Sequence, residues 1–251
     1  MIDKRVWGWM FFDWASQPFY TLGLTFVFGP YFAGVSLGYF LELGLEEQAA
    51  GARSQALWFW GSALSGLFIA LAAPIIGAYA DTTGRRMPWL VVFSVVFFTS
   101  AWALWYTFPD GSTLVLSLIA FNIALIAIEF ALIFTNAVLP SLGTKAEIGR
   151  ISGNGAALGY WGGVVSLFIV LLLLAENDIG KTLLGIEPIL GLDPAAREGT
   201  RSVGPFIAVW FAVFMIPYVV YARAPCPPSQ GNGIKDAMGD LMAALRGAYE
   251  R

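Results

Sequence analysis

Gly77-Ala78-Tyr79-Ala80-Asp81-Thr82-Thr83-Gly84-Arg85-Arg86 is a short polar interruption between two long apolar runs. Upstream, residues 56–80 carry no charge, and downstream 87–109 carry none. A hydrocarbon core takes about 20 helical residues to cross. Each run is therefore expected to span a bilayer, and the interruption to sit at a membrane face. Paired arginines in so short a loop predict that this face is cytoplasmic, because loops rich in Lys and Arg are retained inside.

Composition extends the same reading to the whole chain. It is 58% hydrophobic and 12% charged, with a mean hydropathy of +0.70, whereas soluble domains carry about 25% charged residues. The expected class is an integral, multi-pass membrane protein with the lipid bilayer as its first partner. The formal net charge of -3 provides no basic patch for nucleic acid. Cys226 is the only cysteine and histidine is absent. Intrachain disulfides, Cys or His metal sites, Ser-His and Cys-His nucleophile systems and histidine proton relays are thereby excluded. No catalytic residue, metal site or cofactor is expected, so the chain is read as a non-enzyme.

Hydropathy divides the chain into six spans, near 14–41, 56–80, 88–108, 113–139, 154–175 and 203–222. An aromatic belt of Trp7, Trp9, Phe11, Phe12 and Trp14 precedes the first. That opening run is too long and too aromatic for a cleaved signal peptide. The positive-inside count supports both termini in the cytoplasm. Lys4, Arg5, Arg85, Arg86, Lys145, Arg150, Arg223, Lys235, Arg246 and Arg251 fall on one side; Arg53, Lys181, Arg197 and Arg201 fall on the other. Residues 1–223 read as the transmembrane unit and 224–251 as a cytoplasmic tail. In that tail a Pro/Gly linker precedes an amphipathic helix with Ile234, Met238, Leu241, Met242, Leu245 and Tyr249 on one face.

Three blocks carry a family resemblance. Gly77, Asp81, Gly84, Arg85 and Arg86 resemble the G-x-x-x-D-x-x-G-R-R/K loop between the second and third spans of major facilitator superfamily transporters. Phe12-Asp13-Trp14-Ala15-Ser16-Gln17-Pro18-Phe19 is similar to the start of the first span in the vacuole effluxer branch, the autophagy-related amino-acid exporters. Asn136-Ala137-Val138-Leu139-Pro140, Arg150-Ile151-Ser152-Gly153 and Ala157-Leu158-Gly159-Tyr160-Trp161-Gly162-Gly163 are similar to the region joining its fourth and fifth spans. The antiporter-type Gly-Pro signature of other members is not met, since Tyr160 stands at the proline position. The resemblance implies an all-α fold: six transmembrane helices in 3+3 inverted repeats, equivalent to the N-terminal half of a major facilitator transporter.

Glu129 is the foremost candidate for solute or ion coupling. A carboxylate near mid-span costs about 2.5–3.5 kcal/mol by insertion scales and is functional by default. It can titrate, bind a cationic group, or remain protonated and fix packing. Asp13 lies near the interface, where solvation or capping of its helix accounts for it. Gln17, Asn122, Asn136 and Asn154 are candidates for a polar pathway, although amides also serve as interhelical glue. Gly155, Gly159 and Gly163 form a close-packing stripe, and Gly77 also permits close helix contact. Trp58, Trp60, Trp102 and Trp105 read as interface anchors. Gly77, Asp81, Gly84, Arg85 and Arg86 are implied to gate the cytoplasmic side.

The expected function is secondary active transport of a small solute, an amino acid or similar metabolite, by alternating access, with proton coupling as one option. The family has eleven or twelve spans, so this chain reads as truncated or as needing a second six-helix half. That half would come from the same gene, a separate subunit or a homodimer. The alternative is an accessory or scaffold half-bundle that binds a partner without transporting. Short loops and the charge bias fit a prokaryotic inner membrane.

Overall fold

The computed structural model describes residues 3–83 and 86–222, excluding the side chains of 79–83. The tail expected at 224–251 lies outside the described residues, as do Gly84 and Arg85. Among the described residues every regular element is helical, as hydrocarbon demands of a chain that must satisfy its own backbone groups. Six helices are long and apolar enough to cross a membrane: Lys4–Glu42, Glu47–Ala78, Arg86–Tyr106, Leu114–Ser141, Lys145–Leu173 and Glu198–Tyr221. The chain is an integral multi-pass membrane protein.

The first span is not one continuous α-helix. It comprises α1 (Lys4–Pro18), a π-helical stretch (Phe19–Phe26) and α2 (Phe28–Glu42). Pro18 lacks the N–H that would continue the α ladder, and the helix widens immediately after it. The Val27 N–H donates to the Leu22 carbonyl at 3.1 Å, and the Thr25 hydroxyl donates to the Tyr20 carbonyl at 2.9 Å. These bonds satisfy part of the widened backbone. The second span is α3 (Glu47–Thr83), the third α4 (Arg86–Ala103), the fourth α5 (Leu114–Asn136) and the fifth α6 (Lys145–Leu173). The sixth comprises α7 (Glu198–Arg201), α8 (Val203–Phe214) and α9 (Ile216–Tyr221).

Two helices start beyond the charge-free stretches on capped polar ends. Asp3 accepts the Arg5 N–H at 3.1 Å and starts α1, so Asp13 lies well inside the helix rather than capping it. Glu147 accepts both the Thr144 N–H at 3.0 Å and the Thr144 hydroxyl at 2.8 Å, fixing the start of α6 through a Thr-x-x-Glu pattern. The Gly77–Arg86 interruption is also mostly helical: α3 continues through Asp81 to Thr83, and α4 starts at Arg86.

Packing follows a three-plus-three pattern. The first span packs on the fifth and sixth, the fourth on the second and third, and the third on the sixth. Exchanging spans 1, 2 and 3 for 4, 5 and 6 reproduces those contacts, as expected of two inverted repeats. At the centre, Phe121 of α5 stacks on Phe19 at 5.2 Å and Phe28 at 5.8 Å and meets the tilted Trp58 ring at 4.6 Å. Phe97 of α4 joins Phe19 at 5.3 Å and Phe211 at 4.7 Å. Trp58 is therefore part of the core rather than an interface anchor. Such ring pairs contribute about 0.5–1.5 kcal/mol each beyond burial.

Side-chain bonds tie the bundle at both ends. At the basic end, Arg5 reaches Ser141 at 3.4 Å, Trp9 Nε1 donates to the Thr135 carbonyl at 2.9 Å, and Arg86 donates to the Ala137 carbonyl at 3.0 Å. At the acidic end, the Tyr31 hydroxyl donates to the Thr107 carbonyl at 2.8 Å and Arg201 Nε to the Trp105 carbonyl at 2.8 Å. Arg201 is buried, with its guanidinium 4.9 Å from the Trp105 ring and 4.5 Å from that of Phe108. Trp105 is thus the platform for a buried cation.

Candidate solute site

Two helices keep a partly open face on which polar groups stand among apolar ones. On the first span the open positions are Asp13, Gln17, Tyr20 and Leu24. On α5 they are Ile119, Ile123, Ile126, Glu129, Ile133 and Asn136, a stripe at helical spacing. The two faces adjoin where the Tyr20 hydroxyl donates to Glu129 Oε1 at 3.0 Å. Tyr20 sits inside the π-helical stretch. Pro18 and the widened turn therefore set the register that aims this hydroxyl, and π turns of this kind are frequent at functional sites.

Glu129 is half-buried and meets no cation among the described residues. A carboxylate here, bonded to a phenol and free of an ion pair among the described residues, can receive a solute cation without breaking one. Tyr20 lies within electrostatic reach of both Glu129 and Asp13. Asp13 is half-buried on α1 and backs onto α6, where a Cβ at Gly155 would lie 2.8 Å from its Oδ2. Gln17 packs beside it, with a Cβ at Gly163 2.9 Å from its Cγ. Asp13, Gln17 and Tyr20 thus follow one another at helical spacing along the first span, a polar seam that Tyr20 joins to Glu129 of the fourth.

The other candidates lie away from the Tyr20–Glu129 contact. Asn122 is buried and accepts the Ser65 hydroxyl at 2.7 Å while donating to the Leu118 carbonyl at 2.8 Å. It ties the second span to the fourth. Asn136 is exposed at the end of α5, and Asn154 is exposed on α6. Gly155, Gly159 and Gly163 meet α1 and the start of the π-helical stretch, whereas a Cβ at Gly77 meets nothing within 4 Å among the described residues. Arg86 bonds the end of the fourth span.

Sequence reasoning missed Tyr20, whose partner lies 109 positions away. It also missed a polar cluster at the acidic end. There the buried Glu176 accepts the Thr200 N–H at 3.1 Å, the Thr200 hydroxyl at 2.7 Å and an Arg197 ion pair at 3.3 Å. The sequence shows these only as loop charges.

Comparison with known proteins agrees with the architecture. The family model described as "Vacuole effluxer Atg22 like" matches residues 50–250. The chain is 24% identical over 225 residues to the uncharacterized MFS-type transporter YxiO of Bacillus subtilis (strain 168), across 88% of this chain and 47% of that protein. It therefore spans about half the length of the curated relative it matches. No solved structure matches. With most of its length under the family model and its six spans packed as two repeats, the chain belongs to the vacuole effluxer Atg22-like family.

Proposed function

We propose that this chain is half of a secondary transporter that moves a small solute across the membrane by alternating access. The supporting observation is the Tyr20–Glu129 pair, a mid-span carboxylate bonded at 3.0 Å and set where the open faces of two helices adjoin. Major facilitator proteins place their solute site at the bilayer midplane, between two halves built of repeats. A second six-helix half supplies the facing wall of the seam. The transmembrane unit of this half comprises the six described spans.

The basic end, with Lys4, Arg5, Arg86 and Lys145, faces the cytoplasm by the positive-inside rule. Gly77, Asp81, Gly84, Arg85 and Arg86 gate that side. The acidic seam favours a solute with an amino group, and amino acids, the class implied by the resemblance to the autophagy-related exporters, are the first to test. Glu129 receives that amino group or carries the coupled proton.

The test is counterflow of radiolabelled amino acids in proteoliposomes containing the full-length native protein with any partner it carries. Glu129→Gln is expected to lower the rate at least a hundredfold. Tyr20→Phe keeps the ring but loses the hydroxyl, and is expected to lower the rate about tenfold, the scale of one hydrogen bond to a charged group. Unchanged counterflow in Glu129→Gln would remove the carboxylate from the mechanism. Counterflow absent from the parent for every amino acid, with a stable stoichiometric partner, would favour the accessory half-bundle instead.

A further inference from the structure

The first and fifth spans pack closely along one half of their length and separate along the other. Glycines at 155, 159, 162 and 163 press α6 onto α1 and the first residues of the π-helical stretch. Beyond them the break from Pro18 to Val27 redirects α2, which packs on α3 instead. The divergence opens a cleft of about 600 Å³ between α2 and the end of α6, with the 176–200 segment on its rim. This is within the range of small-molecule sites, about 300–1,000 Å³.

The cleft has an apolar wall and a charged rim. Val35 and Leu171 line the wall, and at Gly34 an added Cβ would meet nothing within 4 Å. On the rim, Arg197 is engaged by Glu176 at 3.3 Å and by Asp178 at 3.7 Å, and its Nη1 reaches the Asn177 carbonyl at 3.4 Å. One guanidinium thus serves two carboxylates, and these three groups sum to one negative charge. Lys181 lines the same cleft and forms no ion pair among the described residues. With Lys181 the rim sums to zero charge, and its ammonium is the lining cation left without an ion pair among the described residues, beside an apolar wall.

We propose that this cleft is a second binding site, separate from the Tyr20–Glu129 seam, for a small solute with a carboxylate and an apolar body. Lys181 holds the carboxylate, and the wall along Gly34, Val35 and Leu171 takes the body. The site stands independently of the transport reading, because binding there needs neither Glu129 nor a conformational cycle.

The test is equilibrium binding of tritiated 4-methylpentanoate to the full-length native protein in phosphatidylcholine nanodiscs. Saturable binding is expected, with isoamylamine, the same body carrying an amine, unable to displace it. Lys181→Gln is expected to weaken binding about tenfold, the scale of one charge-assisted hydrogen bond. Gly34→Trp fills the cleft from a position with open space and is expected to abolish binding while keeping the parent melting temperature. Glu129→Gln is expected to bind the probe within twofold of the parent even where counterflow is lost.

No saturable binding, or parent-like binding by Gly34→Trp, would overturn the proposal. Displacement by isoamylamine would assign the rim to Asp178 and a cation, and also overturn it. Loss of binding in Glu129→Gln would move the probe to the seam. Loss of binding when phosphatidylglycerol is added to the discs would make a lipid phosphate the occupant and overturn the small-solute assignment.

Discussion

Gly199 illustrates how tightly single residues are held at the acidic end. A Cβ there would run into the Leu174 carbonyl and the Glu176 carboxylate, the same carboxylate that caps Thr200 and pairs with Arg197. Neither neighbour is a flexible side-chain tip free to move, since Glu176 is buried and bonded three ways. Gly199→Ala is therefore expected to destabilise the protein by about 1–3 kcal/mol, the usual cost of overpacking. Gly38→Ala, at a site with nothing within 4 Å, is the control and is expected to stay within about 0.5 kcal/mol. Thermal unfolding in detergent reads both. The cost at Gly199 should appear without change at the Tyr20–Glu129 pair, which belongs to other helices.

At the scale of elements, the first span is a broken helix that serves two partners. Its α1 half lies against the glycines of α6, with a Cβ at Gly159 only 3.0 Å from Asp13 Cβ and 3.2 Å from its carbonyl oxygen. Its α2 half packs on α3, where the Ser36 and Ser54 hydroxyls share a hydrogen bond and Ser54 donates to the Ala33 carbonyl at 3.2 Å. Small residues permit such close backbones where lipid offers no hydrophobic drive between helices. Gly159→Val would force α6 off α1 and, because Asp13 and Gln17 share that interface, displace the polar seam as well. The expected outcome is a loss of about 1–3 kcal/mol in thermal unfolding, together with loss of counterflow. Gly153→Ala, with nothing within 4 Å, is expected to change neither. The close-packing stripe was visible in the sequence as glycines four residues apart. The π turn that separates the two halves was not, because a proline inside an apolar run predicts an interruption but not which carbonyls its neighbours satisfy.

The whole molecule has a basic end and an acidic end, and the orientation proposed from the positive-inside rule places the basic end in the cytoplasm. In a background with Cys226 replaced by Ser, Ser141→Cys is expected to react with a membrane-impermeant maleimide only in inside-out vesicles. Asp110→Cys should react only in right-side-out cells, and the opposite pattern would invert the proposed gating side. Sequence alone determined the class of molecule: transfer free energy is a sum over neighbouring residues, so six apolar runs, their boundaries to within a few turns and the all-helical backbone follow from local composition. It also singled out Glu129, because a mid-span carboxylate is costly wherever its helix points. Sequence alone did not determine which faces meet. Tyr20 and Glu129 are 109 positions apart, and their contact depends on the rotation of two helices, the widened turn after Pro18 and the aromatic core around Phe121. The burial of Arg201 between Trp105 and Phe108 and the cleft left where α2 parts from α6 have the same origin. Hydropathy records how deeply a residue prefers to lie, whereas the pairing of polar groups and the shape of the remaining space depend on how distant helices pack.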